Sequence, residues 1–362
     1  MKKLNIGILF GGKSAEHEVS LQSARNVYDA LDRKKYNPVL IGIDKTGRWL
    51  LAASEADASC FLLDTDDPKK IRLHPTDNKI TLAPESRGLI SDSGIHSLDV
   101  VFPILHGPFG EDGTVQGLLK LAGIPFVGSS VAGSAVAMDK DLMKRLLRDA
   151  GLPIPRFRTI KAHEEIFKFN DIKDELGLPL FIKPCNMGSS VGVSKVKNEK
   201  EYTTAVNMAF AFDKKLIIEE YIEGRELECS VLGNEEPKAS VVGEIVSTHE
   251  FYSYDAKYID EKGASLVIPA SISSDTSQKI KELAIKTFLA LECEGLSRVD
   301  FFMTANNKIF INEINTMPGF TKISMYPKLW EASGISYPDL IDKLIDLAIK
   351  RFEKENRLKT SI

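Results

Sequence analysis

The sequence predicts a mixed fold, α/β in its first third and α+β beyond it, with two or three domains. Strand and helix patterns alternate over the first third, which is typical of a doubly wound α/β domain with a parallel sheet. Two later segments, Glu226–Leu232 and Ser240–Val246, have the alternating pattern of antiparallel strands. The chain of 362 residues is also too long for one ordinary hydrophobic core.

The first predicted elements bring polar loops to the ends of apolar strands. A strand at Leu4–Phe10 runs into Gly11 and Gly12, and the polar residues after Lys13 open a helix that continues through Leu31. A later strand ends in the turn-rich loop His106–Gly113. The other elements of this part are strands at Val39–Ile43 and Leu98–Leu105, an irregular polar segment at Asp44–Gly94 and a helix at Val115–Leu121.

Beyond this point the pattern changes. An amphipathic helix at Asp139–Ala150 stops at Gly151, and two prolines follow it. The other predicted elements are strands at Leu180–Pro184 and Leu216–Tyr221, a polar aromatic segment at His249–Gly263, and helices at Thr276–Leu291 and Tyr337–Phe352.

Composition narrows the class of protein. The chain is 43% hydrophobic and 27% charged, and its formal net charge of −4 argues against a general nucleic-acid surface, which usually needs a strongly basic face. Four cysteines without metal-ligand spacing favour a reduced protein of the cytoplasm. The apolar run near the start is too short for a signal peptide, and no stretch approaches transmembrane length. We therefore expect a cytoplasmic protein that binds neither nucleic acid nor membranes.

The most informative segment is a predicted hairpin, in which two apolar runs flank the polar turn 304–308. This register places Asp300 opposite Glu313 and Arg298 opposite Asn315. Facing Cβ atoms lie about 4.5–5.5 Å apart, and facing like charges are destabilising, so the two carboxylates require a cation. Together with an amide oxygen on the same face they suit Mg²⁺, which binds one or two carboxylates and substrate phosphates. The hairpin predicts a nucleotide enzyme, and a surface hairpin with solvated charges is the weaker interpretation.

A literal nucleotide-binding motif at the start of the chain is misleading. Residues 7–14, GILFGGKS, match the P-loop pattern G-x-x-x-x-G-K-[ST]. In a true P-loop the glycine-rich turn follows the strand, whereas Gly7 and the apolar residues after it belong inside one. The dinucleotide pattern G-x-G-x-x-G is absent there as well. We therefore expect no phosphate site at Lys13.

A second loop has the composition of a phosphate site. Residues 188–192, GSSVG, follow a predicted strand that ends in Lys183 and a proline. Small residues let backbone N–H groups approach phosphate oxygens, and Ser189 and Ser190 add hydroxyl groups. Lys183 and Lys140 would each add a positive charge. Most loops of this kind are hinges, but the acidic hairpin downstream strengthens the phosphate interpretation.

Three further features each have two interpretations. Glu16 lies near the start of a helix just beyond a strand, where it could hold a substrate ammonium group or could equally complement the helix dipole. His106 could contact a substrate or phosphate, although a lone loop histidine is more often polar surface. The segment His249–Gly263, which contains Lys257 and Tyr258, could be a lid or a mobile surface loop.

An acidic strand end offers a fourth candidate. Glu219, Glu220 and Glu226 lie on either side of Tyr221. A ribose needs a carboxylate for its hydroxyls, and an adenine amino group needs an acceptor. Taken alone, these residues are better interpreted as a solvated strand end.

Four motifs in this order resemble the D-alanine–D-alanine ligase family of ATP-grasp enzymes. They are residues 11–20 (GGKSAEHEVS), 106–113 (HGPFGEDG), 183–192 (KPCNMGSSVG) and 312–319 (NEINTMPG). The resemblance covers nearly the whole chain and implies a homodimer with a three-domain ATP-grasp architecture. The implied domains are an N-terminal α/β domain at 1–128, a central subdomain at 129–218 and a C-terminal subdomain at 219–362.

The resemblance also implies a reaction. ATP would phosphorylate the carboxylate of one D-alanine, the amine of a second D-alanine would attack the acyl phosphate, and the tetrahedral intermediate would expel phosphate. Two Mg²⁺ ions, which Mn²⁺ can replace, would assist. The product would enter peptidoglycan synthesis.

Matched position by position, the family pattern assigns roles to individual residues. The implied nucleotide ligands are Lys140, Lys183, Ser190, Glu219, Glu220, Tyr221, Glu226 and Lys257. The implied metal ligands are Asp300, Glu313 and Asn315. The implied oxyanion donors are Arg298 and the Gly319 N–H. The implied substrate contacts are Glu16, His106, Ser324 and Met325, with Ser189 and Tyr258 linking the lid to Glu16.

Some alternatives stay open at this point. Cys185 and Met187 depart from the family pattern, and we expect Cys185 to make the phosphate loop sensitive to oxidation or thiol reagents. Tyr258 resembles the tyrosine of the dipeptide-forming branch of the family, and this resemblance implies a preference for an amine over a hydroxyl as the attacking group at neutral pH. The nearest alternative is a ligase of the same fold that joins D-alanine to another D-amino or D-hydroxy acid, such as D-lactate. A P-loop nucleotide switch using Lys13 and a silent nucleotide-binding regulator are weaker, the latter because Arg298 is present.

Overall fold

The computed structural model describes residues 2–51, 80–83, 88–91, 94–247 and 264–359. Most of the polar segment Asp44–Gly94 and all of the aromatic segment His249–Gly263 lie outside these ranges. In the described part, the first sheet has four strands and is mainly parallel, and the other sheets are antiparallel, with three, four and five strands. The predicted combination of α/β and α+β folds is therefore confirmed.

In chain order, the strands are β1 (Leu4–Gly11), β2 (Tyr36–Ile43), β3 (Trp49–Leu51), β4 (Thr81–Ala83), β5 (Gly88–Ser91), β6 (Gly94–Ser97), β7 (Val100–Ile104), β8 (Phe157–Lys161), β9 (Leu180–Pro184), β10 (Ser194–Val196), β11 (Lys215–Glu220), β12 (Arg225–Gly233), β13 (Lys238–Ser247), β14 (Ala264–Val267), β15 (Gly295–Met303) and β16 (Ile309–Asn315). The helices are α1 (His17–Ala30), α2 (Thr114–Leu121), α3 (Val131–Met138), α4 (Lys140–Asp149), α5 (Phe169–Leu176), α6 (Glu199–Phe210), α7 (Ser274–Ala290), α8 (Met325–Ala332) and α9 (Tyr337–Glu355).

The N-terminal sheet has the order β3-β2-β1-β7 and is covered on both faces. β2 and β7 run parallel to β1, and β3 is an antiparallel edge strand. Ile6 and Phe10 of β1 share a core with α1 and α9, whereas Leu9 points to the other face and shares a core with α2. Helices on both faces confirm the doubly wound arrangement. Because Gly7 lies inside β1, residues 7–14 form no P-loop.

The last helix, α9, packs in the core of the first sheet. Its buried residues Leu340, Ile341, Leu344 and Ile345 recur at helical spacing. Each fully buried Leu or Ile stabilises the fold by about 1.5–3 kcal/mol, so the two ends of the chain are firmly joined. The domain boundaries given above stay a prediction. Among the described residues, no helix has both the length and the apolar character that crossing a membrane requires.

The central sheet, with the order β10-β9-β11-β8, carries Lys183 on the face away from its helices. In β9, Leu180 and Ile182 are buried against α5 and α6, and Lys183 alternates to the other face. Lys183 pairs with Ile217 of β11, so Glu219 is its diagonal neighbour on the same face.

The C-terminal sheet has the order β14-β13-β12-β15-β16 and contains the predicted hairpin. Its inner face packs against α7. Arg298 pairs with Asn315 and Asp300 pairs with Glu313, so the predicted register is confirmed. Asn307 takes the left-handed position of the turn, with φ of 60°.

A β-bulge interrupts this hairpin directly beside the acids. Asp300 pairs with Glu313, but the next residue, Phe301, pairs with Ile311, so Asn312 is an extra residue on β16. A bulge adds twist and redirects side chains locally. It allows Ile311 to stay in the core while Glu313 stays on the same face as Asp300.

Candidate active site

Several of the predicted site residues meet where the Lys183 face of the central sheet approaches the Asp300 face of the C-terminal sheet, and the space between the two faces is called the cleft below. Lys140 Nζ lies 3.7 Å from Glu313 Oε2, and Lys183 Nζ lies 3.5 Å from Asn312 Oδ1. These contacts join parts of the chain more than a hundred residues apart in sequence. The cleft therefore depends on the tertiary fold.

Glu16 is held at the end of β1 by the turn that begins α1. Its backbone N–H donates to Ser14 Oγ (3.0 Å), and its carboxylate accepts a hydrogen bond from Ser189 Oγ. Two glycines make room for it, since a Cβ on Gly107 or Gly188 would lie 2.9 or 3.2 Å from Glu16 Oε2. A carboxylate has about four lone-pair sites, so the contact with Ser189 is compatible with holding an ammonium group.

The GSSVG loop has a strained backbone. Ser189 and Ser190 both take left-handed conformations, with φ of 50° and 59°. Such residues cost on the order of 1–3 kcal/mol each and are concentrated at functional sites. Turns of this kind form concavities of backbone N–H groups that bind anions. Lys140 Nζ donates to the Met187 carbonyl just before the loop (2.8 Å), which brings a cation to it.

The expectation that Cys185 makes this loop sensitive to thiol reagents is wrong. Its side chain is fully buried, and burial raises the pKa of the thiol. Little reactive thiolate is therefore present at neutral pH. The backbone of Cys185 has the structural role instead, since its carbonyl accepts the Lys140 N–H (3.1 Å) at the start of α4.

The loop after β7 holds the backbone of Met317 at two atoms. His106 Nδ1 donates to the Met317 carbonyl (3.0 Å), and the Met317 N–H donates to Glu111 Oε1 (3.2 Å). Glu111 Oε2 accepts the Gly107 N–H (2.7 Å), which closes the loop on itself. Met317 lies between a predicted metal ligand and a predicted oxyanion donor, so this loop positions both. The direct contact of His106 with a substrate stays a prediction.

Glu111 gives the stability of the protein a pH dependence. Burial and the nearby carboxylate of Glu16 raise the pKa of Glu111 from 4.5 to about 8. The folded state then binds this proton more tightly than the unfolded state. The stabilisation that Glu111 gives the folded state is complete below about pH 4.5 and is lost as the pH rises through about 8. We expect the free energy of unfolding in urea of the unmodified protein to fall, relative to that of Glu111→Gln, as the pH rises from about 4.5 to about 8. A constant difference would contradict the assignment.

Arg298 lies in the hairpin with its guanidinium on two acids. Nε and Nη2 donate to Oδ1 and Oδ2 of Asp300, both at 2.7 Å, and Nε lies 3.0 Å from Glu228 Oε2. Although burial opposes it, Asp300 and Glu228 raise the pKa of Arg298 well above its ordinary value. Arg298 is therefore a permanent cation held in one orientation, with further N–H donors in its planar fork.

The three predicted metal ligands lie together on this hairpin. Asp300 and Glu313 face each other, and Asn315 Nδ2 donates to Asp300 Oδ2 (3.0 Å). Turning the Asn315 amide would present its oxygen instead. Two carboxylates and an amide oxygen fit Mg²⁺. The described ranges contain no group of three or more His, Cys, Asp or Glu side chains placed to hold a metal.

Glu219 is buried between two lysines, one of which sequence reasoning missed. Lys183 Nζ lies 2.6 Å from its Oε2 and Lys144 Nζ lies 2.7 Å from its Oε1. Burial would raise the pKa of Glu219, but the two ammonium groups outweigh it and lower the pKa to about 2. Lys144 follows Lys140 by four residues on α4, so both lie on one helix face. That spacing is the signal that could have identified it.

The strand end after Glu219 borders a cavity of about 970 Å³, lined by residues 220–225, 303–308 and 310. Glu220 is held away from the lysines by Arg156, whose Nε lies 2.7 Å from its Oε2. Lys195 Nζ lies 4.4 Å from the centre of the Tyr221 ring, in cation–π contact. The cavity offers space for a nucleobase beside Tyr221.

Glu226 contributes to the charge balance of this region. Burial lowers the pKa of Lys183, but Glu219, Glu313 and Glu226 raise it above its ordinary value. Lys183 therefore keeps its positive charge at neutral pH.

The predicted lid residues Lys257 and Tyr258 lie outside the described residues.

The last predicted substrate contacts surround the start of α8. A Cβ on Gly319 would lie 2.8 Å from Ser324 Oγ, so the glycine permits this close approach. The side chain of Met325 is buried and packs against Gly243 of β13, where a Cβ would lie 2.9 Å from Met325 Sδ. Only the backbone of Met325 is left to contact a ligand.

Comparison with known proteins places these features in one family. The sequence profile described as D-ala D-ala ligase N-terminus matches residues 5–129, and that described as D-ala D-ala ligase C-terminus matches residues 146–346. The chain is 53% identical over 368 residues to D-alanine–D-alanine ligase A of Escherichia coli (strain K12), covering all of both proteins. It is 55% identical over 367 residues to the D-alanine–D-alanine ligase of Oceanobacillus iheyensis, covering 100% of this chain and 99% of that protein.

Comparison with solved structures identifies the same family as the sequence comparisons. The D-alanine-D-alanine ligase from Coxiella burnetii matches with a TM-score of 0.85 at 40% identity, over 99% of this chain and 97% of that chain. The VanG D-Ala:D-Ser ligase from Enterococcus faecalis matches with a TM-score of 0.85 at 38% identity, over 96% of this chain and 100% of that chain. With two matching profiles and relatives more than half identical along its whole length, the chain belongs to the D-alanine–D-alanine ligase family.

Proposed function

We propose that this chain joins two molecules of D-alanine to D-alanyl-D-alanine, with conversion of ATP to ADP and phosphate. Family membership supports the reaction class. One observation supports it for this chain: Arg298 lies in a hairpin beside Asp300 and Glu313, and the same cleft contains Lys140 and Lys183. A phosphate group, a divalent cation and a developing oxyanion can be stabilised together there. The dipeptide would enter peptidoglycan precursor synthesis.

In the first half-reaction, the ammonium group of one D-alanine binds Glu16. A carboxylate oxygen of this D-alanine then attacks the γ-phosphorus of ATP. The bond between the γ-phosphorus and the ADP oxygen breaks, and an acyl phosphate of D-alanine forms. Lys140 and Lys183 balance the phosphate charge, and the backbone of the loop containing Ser189 and Ser190 supplies N–H donors. Positioning and electrostatic stabilisation account for most of the catalysis of phosphoryl transfer.

In the second half-reaction, the neutral amine of the second D-alanine attacks the acyl carbon. Negative charge develops on the acyl oxygen, where Arg298 and the Gly319 N–H stabilise it. These donors are oriented before the reaction, which is often the largest catalytic contribution. The tetrahedral intermediate then breaks its bond to the phosphate oxygen, the proton lost by the amine goes to the departing phosphate, and the amide forms, while Ser324 holds the carboxylate of the second substrate.

Asp300, Glu313 and Asn315 are the residues that would hold Mg²⁺, with two ions proposed and Mn²⁺ as a possible replacement. When bound, such ions neutralise phosphate charge. The protein's own contribution is to keep these oxygen ligands on one rigid strand pair. Arg298 keeps Asp300 in place through two hydrogen bonds of 2.7 Å.

A second candidate is ligation of D-alanine to another D-amino or D-hydroxy acid. The structural similarity to a D-Ala:D-Ser ligase favours it, because that protein has nearly the same fold with a different substrate. Tyr258 supports an amine as the attacking group in this chain.

Phosphate release by the purified chain tests both candidates. With ATP and Mg²⁺, D-alanine alone should support turnover and L-alanine should not. D-Lactate added as second substrate at neutral pH should be used far more slowly than D-alanine. No D-alanine-dependent phosphate release would refute the proposed reaction, and equal turnover with D-lactate would refute the preference for an amine.

We further propose that the protein acts in the cytoplasm, where ATP is available, as a homodimer that needs no nucleic acid or membrane. Light scattering of the purified chain tests the oligomeric state, and a mass equal to one chain would contradict it.

A further inference from the structure

Lys144 is the most deeply buried lysine among the described residues, and the reaction described above leaves it without a role. Its side chain is 1% exposed. Lysine is rarely buried in this way unless it is paired, because removing an ammonium group from water is costly. Lys144 follows Lys140 by one helical turn on α4, so the face of the helix that approaches the phosphate loop also presents Lys144 to the cleft.

The contacts of Lys144 form part of a closed polar ring. Its Nζ lies 2.7 Å from Glu219 Oε1 and donates to the Asn312 carbonyl (3.2 Å). Lys183 completes the ring, lying 2.6 Å from Glu219 Oε2 and 3.5 Å from Asn312 Oδ1. Asn312 is the extra residue of the bulge and directly precedes Glu313. The ring therefore connects α4, the central sheet and the hairpin that contains Asp300 and Glu313.

The ring places two lysine side chains on one carboxylate. Burial lowers the pKa of Lys144, and the contact with Glu219 opposes that shift, while both lysines lower the pKa of Glu219. Lys183 is expected to interact with nucleotide phosphates, yet it lies on Glu219 here. If Lys183 were the only partner, its movement towards a phosphate would leave a buried carboxylate without a counter-charge. A buried charge that loses its partner destabilises a protein strongly. Lys144 removes that obstacle because it stays on the other oxygen of Glu219.

We propose that Lys144 is a positioning residue of the nucleotide site, which neutralises Glu219 so that Lys183 can engage the phosphates of ATP. The proposal rests on the proposed ATP-dependent function but concerns binding alone. It requires that replacement of Lys144 weakens the binding of ligands that contain phosphate and leaves the binding of ligands without phosphate unchanged. If Lys144 were purely structural, its replacement would weaken the binding of both kinds of ligand equally.

The test is calorimetric titration of Lys144→Met without D-alanine, using a non-hydrolysable ATP analogue with Mg²⁺ and, as the matched control ligand, adenosine. The Kd of the analogue should rise by about tenfold, a change equal to the loss of one modest charge interaction, while the Kd of adenosine stays within about twofold. Lys144→Arg, which keeps the charge, should restore most of the affinity. Equal changes for both ligands, or no change for either, would overturn the proposal.

A second comparison keeps the test decisive. In a Glu219→Gln background Lys183 has no carboxylate to leave, so adding Lys144→Met should change the Kd of the analogue by less than about twofold. An undiminished tenfold effect there would show that Lys144 does not act through Glu219. If Lys144→Met does not fold, Lys144→Gln replaces it with the same expected results. Failure of D-alanine ligation in the unmodified protein would refute the proposed function, yet these binding results would still decide the role of Lys144.

Discussion

Replacement of Arg298 by methionine is expected to lower kcat for D-alanine ligation by about two to three orders of magnitude, the loss typical of removing one oxyanion donor. Methionine keeps an unbranched apolar stem, shorter than that of arginine, but removes the charge and both hydrogen bonds to Asp300. The developing oxyanion then has only the Gly319 N–H. Steady-state phosphate release at saturating ATP and D-alanine measures the effect.

The same change also removes the counter-charge of two partly buried acids. Glu228 and Asp300 both contact Arg298, and breaking a buried ion pair by removing one partner costs about 3–5 kcal/mol. Thermal unfolding must therefore accompany the kinetics. Arg298→Lys is the control, because it keeps the charge without the fork and should retain more activity than methionine. A folded Arg298→Met protein with kcat within tenfold of the unmodified value would contradict the catalytic role.

The hairpin was predictable because its information is local. Two apolar runs around a polar turn determine which residues face each other, and the register of Asp300 with Glu313 is as expected. The bulge at Asn312 was not predicted, although it shifts the alternation by one residue: Ile309 and Ile311 are buried two apart, and the next buried residue, Ile314, lies three further on. Its consequence, a carbonyl that accepts a hydrogen bond from Lys144, depends on the packing of α4 against the C-terminal sheet.

The lysines illustrate the same limit. Lys183 follows a recognisable strand beside a glycine-serine loop, so its position suggests a role. Lys144 lies in a charged amphipathic helix, where a lysine is usually solvated. Its spacing from Lys140 places it on the same helix face, but its burial depends on packing against Glu219. Four helices, α3, α5, α6 and α8, were not predicted either. The pairing of α9 with the first sheet joins residues some three hundred positions apart and leaves no local pattern.

Replacement of Glu313 by glutamine is expected to raise the Mg²⁺ concentration needed for half-maximal turnover by about a hundredfold or more. Changes to residues that merely support metal ligands already cost about 10–100-fold in metal affinity, and Glu313 is a proposed ligand itself. Glutamine keeps one oxygen and the shape of the side chain but removes the charge that faces Asp300. Stability should change little, because the Glu313 side chain is 27% exposed and its ion pair with Lys140 is long, at 3.7 Å.

Two comparisons make this prediction specific to the metal. Glu331→Gln, an exposed acid on α8, removes the same charge away from the cleft and should leave the Mg²⁺ dependence unchanged. Titration with Mn²⁺, followed by its paramagnetic resonance, should show weaker binding in Glu313→Gln without any turnover. An unchanged Mg²⁺ dependence in a folded Glu313→Gln protein would exclude Glu313 as a ligand. The two facing acids would then need another explanation, with Arg298, Lys140 and Lys183 as described cations that balance their charge.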